Sequence, residues 1–278
     1  MLAYRHHFHA GNFADVFKHA LLVRLLAAVA AKDKPFFCLD THAGIGRYDL
    51  SHAWAQKNAE FRDGIGRLWG RSDLPVLLAP YMESVRAENP DGKLRFYPGS
   101  PLIARRFLRP GDRMVLSELN RTDVAELGAL FARDRQVTVH LIDGYHALKA
   151  QLPPAERRGL VLVDSSFDRA GELRRVADAL ALAHERWATG IYAIWYPLME
   201  LPAMRGFERD VVATGIRKIL QLELSVRPEG WTQTLRGCGM LVVNPPYRFD
   251  EEAEAIVAWL ADVLAMGGGG RVRWLVPE

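Results

Sequence analysis

Only two cysteines, Cys38 and Cys238, occur in 278 residues, and they form no CxxC pair. A disulfide framework or thiolate metal site is therefore not expected, and both thiols, set in apolar strand-like runs, should be buried. No run of about 18 apolar residues exists, so no membrane span is expected. The opening stretch MLAYRHHFHAGNF carries charge and histidine where a signal peptide needs an apolar segment. The chain is read as cytoplasmic. No GxxxxGK[ST] loop is present, which argues against an ATPase. Internal repeats and long low-complexity segments are also missing. Lysine is scarce beside arginine, and the formal net charge is only +3. That mild excess permits a nucleic-acid partner without demanding one.

What is present is a large apolar fraction, 49% of residues, enough for a sizeable core. Residues 12–31 repeat apolar side chains at helical spacing. A strand follows at Pro35–Leu39, ending in Asp40 and the loop THAGIG. Residues 50–95 are of mixed polarity with Pro and Gly punctuation, and read as a mostly helical insertion into one domain spanning 1–278. Beyond them strands (113–117, 137–142, 160–163, 190–196) alternate with helices (101–108, 121–133, 144–150, 170–186, 200–213). Such alternation predicts an α/β fold, a Rossmann-like parallel sheet with helices on both faces. Residues 216–226 and 237–247 read as a terminal antiparallel hairpin. A helix at 250–265, a linker or turn at the glycine run 267–270, and a short last strand complete the expected order.

Open parallel sheets bind ligands outside the carboxyl ends of their strands. Four successive strand ends here carry acids: Asp40, Glu118, Asp143 and Asp164. One such acid is unremarkable; four in order suggest a site. Gly44 and Gly46 would let the backbone turn tightly beside a ligand. Glu118 stands where nucleotide-binding sheets place the acceptor for ribose hydroxyls. Asp143 could accept from an adenine amino group.

Asp164 stands where a catalytic group would. An exocyclic amino nitrogen is a poor nucleophile because its lone pair is delocalised into the ring. Two acceptors can hold its hydrogens and aim the lone pair, and an aromatic ring can stack on the base. Asp164, the Ser165 carbonyl and Phe167 suit those tasks. An Asx-turn or helix cap at Asp164 is the structural alternative.

The stretches YRHHFHAGNFADVFKH, LDTHAGIGRYDL, YPGSPLIAR, RRGLVLVD, TGIYAIWYP and ATGIRKILQLEL occur in this order. Together they closely resemble bacterial 23S ribosomal RNA adenine-N6 methyltransferases of the RlmJ family, from Tyr4 to the final VPE. The resemblance implies a class I methyltransferase fold using S-adenosyl-L-methionine (SAM), a 23S ribosomal RNA substrate and no metal. The protein is expected to act as a monomer. Carried over position by position, it implies that His19, His42, Ser100, Glu118, Asp143, Gly144 and Asp164 bind SAM, with Gly44 beside them. It further implies that Asp164 is catalytic and that Tyr4 meets RNA. Arg5, His6 and His7 extend that basic-aromatic stretch and are expected to contact RNA with it. The HHFH run at 6–9 has no partner spaced for metal binding.

One departure matters. The family's DPPY motif is here Asp164-Ser165-Ser166-Phe167. The ring and the carbonyl at 165 survive, but two fixed φ angles are gone, about 0.4–1 kcal/mol of preorganisation per proline. SAM binding is expected to persist. The alternative is a SAM- or RNA-binding relative with weak or no turnover. Asn244-Pro245-Pro246-Tyr247 matches the general amino-methyltransferase motif, yet it follows a strand expected to run against the others. Fold logic therefore favours Asp164. A dinucleotide oxidoreductase is disfavoured because DTHAGIG lacks the third fingerprint glycine.

Overall fold

The computed structural model describes residues 5–278. Tyr4, expected to meet RNA, lies outside the described residues. The chain opens with α1 (Phe13–Ala30), then β1 (Phe37–Asp40) and β2 (Arg47–Asp49). Residues 50–95 hold three helices, α2 (Ala53–Asn58), α3 (Ile65–Trp69) and α4 (Ala79–Ala87), with short 3-10 turns between them. β3 (Phe96–Pro98) pairs antiparallel with β2 and draws the two ends of that segment together. There follow α5 (Ser100–Arg105), β4 (Arg113–Glu118), α6 (Arg121–Leu130), β5 (Val137–Leu141), α7 (Gly144–Gln151) and β6 (Gly159–Val163). The chain finishes with α8 (Glu172–Arg186), β7 (Ile191–Pro197), α9 (Leu201–Ala213), β8 (Ile219–Ser225), β9 (Gly237–Val243), α10 (Phe249–Leu264) and β10 (Gly269–Val276).

Eight strands form one sheet in the order β10-β8-β9-β7-β6-β1-β4-β5. β1 pairs parallel with β4 on one side and β6 on the other. The chain leaves β1 in one direction, through β4 and β5, and resumes on its opposite side at β6. The loops after β1 and β6 therefore diverge, and the crevice of a Rossmann-like α/β sheet opens between them. The fold expectation holds.

The strands read as continuous apolar runs because both faces are covered. Cys38, Leu160 and Leu162 pack into one core with α1 and α10. Phe37, Leu39, Val161 and Val163 pack into the other with α7, α8 and α9. Cys38 and Cys238 are both buried and in no disulfide. Among the described residues, no helix is long and apolar enough to cross a membrane.

The terminal hairpin is antiparallel, as expected, and β9 also runs antiparallel to β7. The glycine run departs from expectation. Gly269 and Gly270 are strand residues, paired with Ser225 and Leu224. Close packing requires glycine here. A Cβ on Gly268 would stand 1.8 Å from the Ser225 carbonyl oxygen, and one on Gly270 would stand 2.5 Å from the Val257 side chain.

Candidate active site

A cleft of about 930 Å³ opens at the carboxyl ends of the central strands, large enough for a dinucleotide-sized ligand. Residues 41–45 after β1, 118–120 after β4, 143–144 after β5 and 164–169 after β6 all line it. The N-terminal part of α1 closes one side. This helix is buried almost all round, as its apolar sequence requires, and the Asn12 side chain caps it by accepting from the Ala14 and Asp15 amides. Three polar residues, Asp15, Lys18 and His19, are nevertheless fully buried on it.

Those residues build the charged centre of the cleft. Lys18 Nζ donates to Asp164 Oδ2 at 2.6 Å and to Asp15 Oδ1 at 2.8 Å. Asp15 Oδ2 also takes the His6 ring at 3.0 Å and accepts from the Gly11 amide at 2.9 Å. Burial by itself would raise the Asp15 carboxyl, but His6 and Lys18 override it and hold it well below the carboxylate range. Burial would likewise lower the Lys18 ammonium, and the two carboxylates hold it well above the lysine range. Asp164 is thus neither an Asx-turn nor a helix cap; its side chain is in a partly buried ion pair.

Lys18 escaped the sequence reading. Its only signal was a Lys and an Asp three apart in an otherwise apolar helical run. Such a pair commonly marks a solvated face, and the sequence carries no hint of a partner 146 residues away.

His19 lies one residue on. Its Nδ1 is 2.8 Å from the Tyr97 hydroxyl, whereas its buried Nε2 has no hydrogen-bond partner among the described residues. Burial pushes the ring well below the histidine range, and His19 borders the cleft. Beneath the loop after β1, Asp40 accepts from the Ser100 hydroxyl at 2.6 Å and from the His42 amide at 3.1 Å. Burial pushes the Asp40 carboxyl up to about 6, with the Asp164 charge adding to it. His42 is depressed by burial and sits with its ring edge-on to Tyr145.

Gly44 and Gly46 have φ of 61° and 79°, values glycine alone adopts without strain. A Cβ at Gly44 would meet the Tyr48 hydroxyl at 2.4 Å. Glu118 binds the same loop: Oε2 accepts from the Gly44 amide at 2.9 Å, and Oε1 from the Leu119 and Asn120 amides at 2.8 Å. Asp143 caps α7 through the Tyr145 amide and pairs with Arg175 at 2.9 Å. Burial would raise its carboxyl, but Arg175 holds it below the usual range. Gly144 packs so closely that a Cβ would lie 2.2 Å from the Thr41 carbonyl oxygen.

The loop after β6 has its own supports. The Ser165 hydroxyl donates to Glu172 at 2.5 Å, and the Ser166 hydroxyl to Asp168 at 2.6 Å. Phe167 has φ of 52°, a left-handed conformation costing about 1–2 kcal/mol for a residue with a side chain. Its ring packs edge-on against Trp195, with centroids 5.7 Å apart.

Arg5, His6 and His7 line the mouth. Arg5 pairs with Asp123 at 3.0 Å and lies over the Trp54 ring. His7 contacts Tyr48, His52 and Trp54, and burial with two neighbouring histidines brings it down to about 4. His9 turns instead to Glu60. The HHFH histidines thus face different partners. Among the described residues, no group of three His, Cys, Asp or Glu is placed to hold a metal.

Of the groups along the cleft, Glu118 keeps free acceptor capacity, and Asp143 with Gly144 borders the space beside it. Asn244 lies elsewhere. Its side chain donates to the Ala188 and Gly190 carbonyls at 2.8 Å, and its amide to the Lys218 carbonyl at 3.0 Å. These groups precede β7 and β8, at the edge of the sheet opposite the cleft. Tyr247 is 93% exposed.

Comparison with known proteins agrees with this architecture. The family model described as ribosomal RNA large subunit methyltransferase D, RlmJ, matches residues 33–276. Ribosomal RNA large subunit methyltransferase J of Escherichia coli K12 is 44% identical over 280 residues, covering 100% of both chains. The protein of the same name from Haemophilus influenzae is 44% identical over 281 residues, again covering 100% of both. The crystal structure of protein LPL1258 from Legionella pneumophila superposes with a TM-score of 0.89 at 36% identity. That match covers 96% of this chain and 98% of the other.

Proposed function

This chain belongs to the RlmJ family of ribosomal RNA large subunit methyltransferases, and we propose that it methylates the exocyclic N6 amino group of an adenine in 23S ribosomal RNA. The observation that carries the reading is Asp164, held by Lys18 at the switch-point end of β6 and lining the cleft. SAM, when bound, supplies an electrophilic methyl group on a sulfonium centre. His19, His42, Gly44, Ser100, Glu118, Asp143, Gly144 and Asp164 would hold it.

The chain's own residues do the rest. Lys18 occupies Asp164 Oδ2, which leaves Oδ1 to accept one amino hydrogen; the Ser165 carbonyl accepts the other. Both acceptors pull electron density onto nitrogen and aim its lone pair, so catalysis is positioning and electrostatics. Phe167 offers its ring to the base. At the mouth, Arg5, His6, His7 and the half-exposed Trp54 supply charge and stacking surface for single-stranded RNA.

The test is transfer of labelled methyl from SAM to 23S ribosomal RNA lacking the mark, with Asp164→Ala alongside. Wild-type transfer that Asp164→Ala loses is expected. Transfer surviving that change would remove this mechanism. A wild type that binds SAM but moves no methyl would favour the non-catalytic alternative.

A further inference from the structure

We propose that Glu172 is a positioning residue for the methyl-transfer reaction, acting through the Ser165 hydroxyl to aim the Ser165 carbonyl. This rests on the reading of Asp164 and Ser165 given above.

Ser165 needs such a device. It follows Asp164 in a segment without regular secondary structure, next to Phe167 in its left-handed conformation. Nothing in a serine restrains φ or ψ, and an acceptor that wanders by an ångström loses much of its effect on rate. Yet Ser165 is only 6% exposed, and its hydroxyl ends on Glu172 Oε1 at 2.5 Å.

Glu172 is itself fixed. It is 6% exposed and opens α8, where the helix N-terminus favours negative charge. The same Oε1 accepts from the Tyr145 hydroxyl at 2.6 Å. Arg175, one turn along α8, stands 3.9 Å from Oε2 and lies over the Tyr145 ring. Arg175 also grips Asp143. One rigid cluster therefore joins the loop after β5 to the loop after β6. A carboxylate anchored this way restrains the Ser165 side chain, and with it the carbonyl one bond from the same Cα.

A plain helix-start acid would stabilise α8 without touching the reaction. The two roles part in a double-mutant cycle on kcat, using Ser165→Ala, Glu172→Ala and both together. SAM affinity by calorimetry and KM for RNA are followed in each variant. The expected result is a kcat lowered about tenfold by either change, no further by both, with KM and SAM affinity within about twofold of wild type. Glu172→Gln, which keeps the acceptor oxygen, should hold most of the rate.

Ser165→Pro in the Glu172→Ala background should restore it, because the ring fixes φ without a hydroxyl. Among the described residues the Ser165 amide has no acceptor, so proline removes no hydrogen bond there. Wild-type kcat in Ser165→Ala, or additive losses in the cycle, overturns the proposal. If Glu172→Ala does not fold, Ser165→Ala and Glu172→Gln still decide it. Asp164→Ala separates the two levels. Wild-type turnover there sinks the parent reading. A dead Asp164→Ala beside a fully active Ser165→Ala sinks this inference alone.

Discussion

Lys18 and Asp164 stand 146 residues apart in the chain and 2.6 Å apart in space. Lys18 is buried and Asp164 partly so, and Asp15 shares the ammonium. A desolvated charge is tolerable only beside an opposite one, and the fully buried Lys18 and Asp15 supply each other's.

Lys18→Met should therefore be costly. It strips Asp164 of its cation and leaves the buried Asp15 with His6 alone, a loss of about 3–5 kcal/mol in urea unfolding at neutral pH. The pH dependence follows from the depressed Asp15 carboxyl. A depressed carboxyl contributes stability above its unfolded value and loses it as pH falls through its folded value. Without Lys18, only His6 is left to oppose burial, so the Asp15 carboxyl moves upward. The gap between variant and wild type should narrow as pH falls toward 4. A constant gap across that range would contradict the ion-pair account.

Asp40 behaves oppositely. Its carboxyl is raised to about 6, chiefly by burial. A raised group stabilises fully below its unfolded value, about 3.9, and loses that contribution as pH climbs through its folded value. Ionising it in place costs roughly 3 kcal/mol. Asp40→Asn should therefore gain on the wild type by up to that amount between pH 4 and pH 7. Paired urea titrations across this window measure it.

Asn244→Ala and Tyr247→Ala should leave methyl transfer within about twofold of wild type, because neither residue lines the cleft. Asn244→Ala should still lower stability by about 1–3 kcal/mol, from the two carbonyls it deserts. A transfer defect larger than the stability loss explains would put the reaction at the wrong end of the sheet.

Trp54→Ala should weaken RNA binding by about 1–3 kcal/mol, the range for one stacked base, with SAM affinity unchanged. Filter binding of a 23S fragment and calorimetry with SAM read the two effects separately. Loss of both together would mark Trp54 as a structural support of the mouth, which its contacts with Phe8, His7 and His52 also permit.

The sequence by itself determined the elements and their order. Period-two and period-3.6 apolar patterns are local and survive in a string of letters. They foretold α1, the β/α alternation, the terminal hairpin, and acids at four strand ends whose loops converge on one crevice. They also foretold that β9 runs backwards, which is why Asn244 ends at the far edge of the sheet. The tertiary structure alone decided which side chains meet. Lys18 on α1 finds Asp164 after β6, and Glu172 on α8 finds Ser165 and Tyr145. Tyr97, brought over by β3, takes His19 Nδ1, and the buried Nε2 has no partner among the described residues. The glycines at 269 and 270 became strand rather than linker because Ser225 and Leu224 lie beside them. Local periodicity cannot encode such meetings: a buried charge is satisfied by whatever the folded chain carries to it, and that is a property of the crossing of segments far apart in sequence.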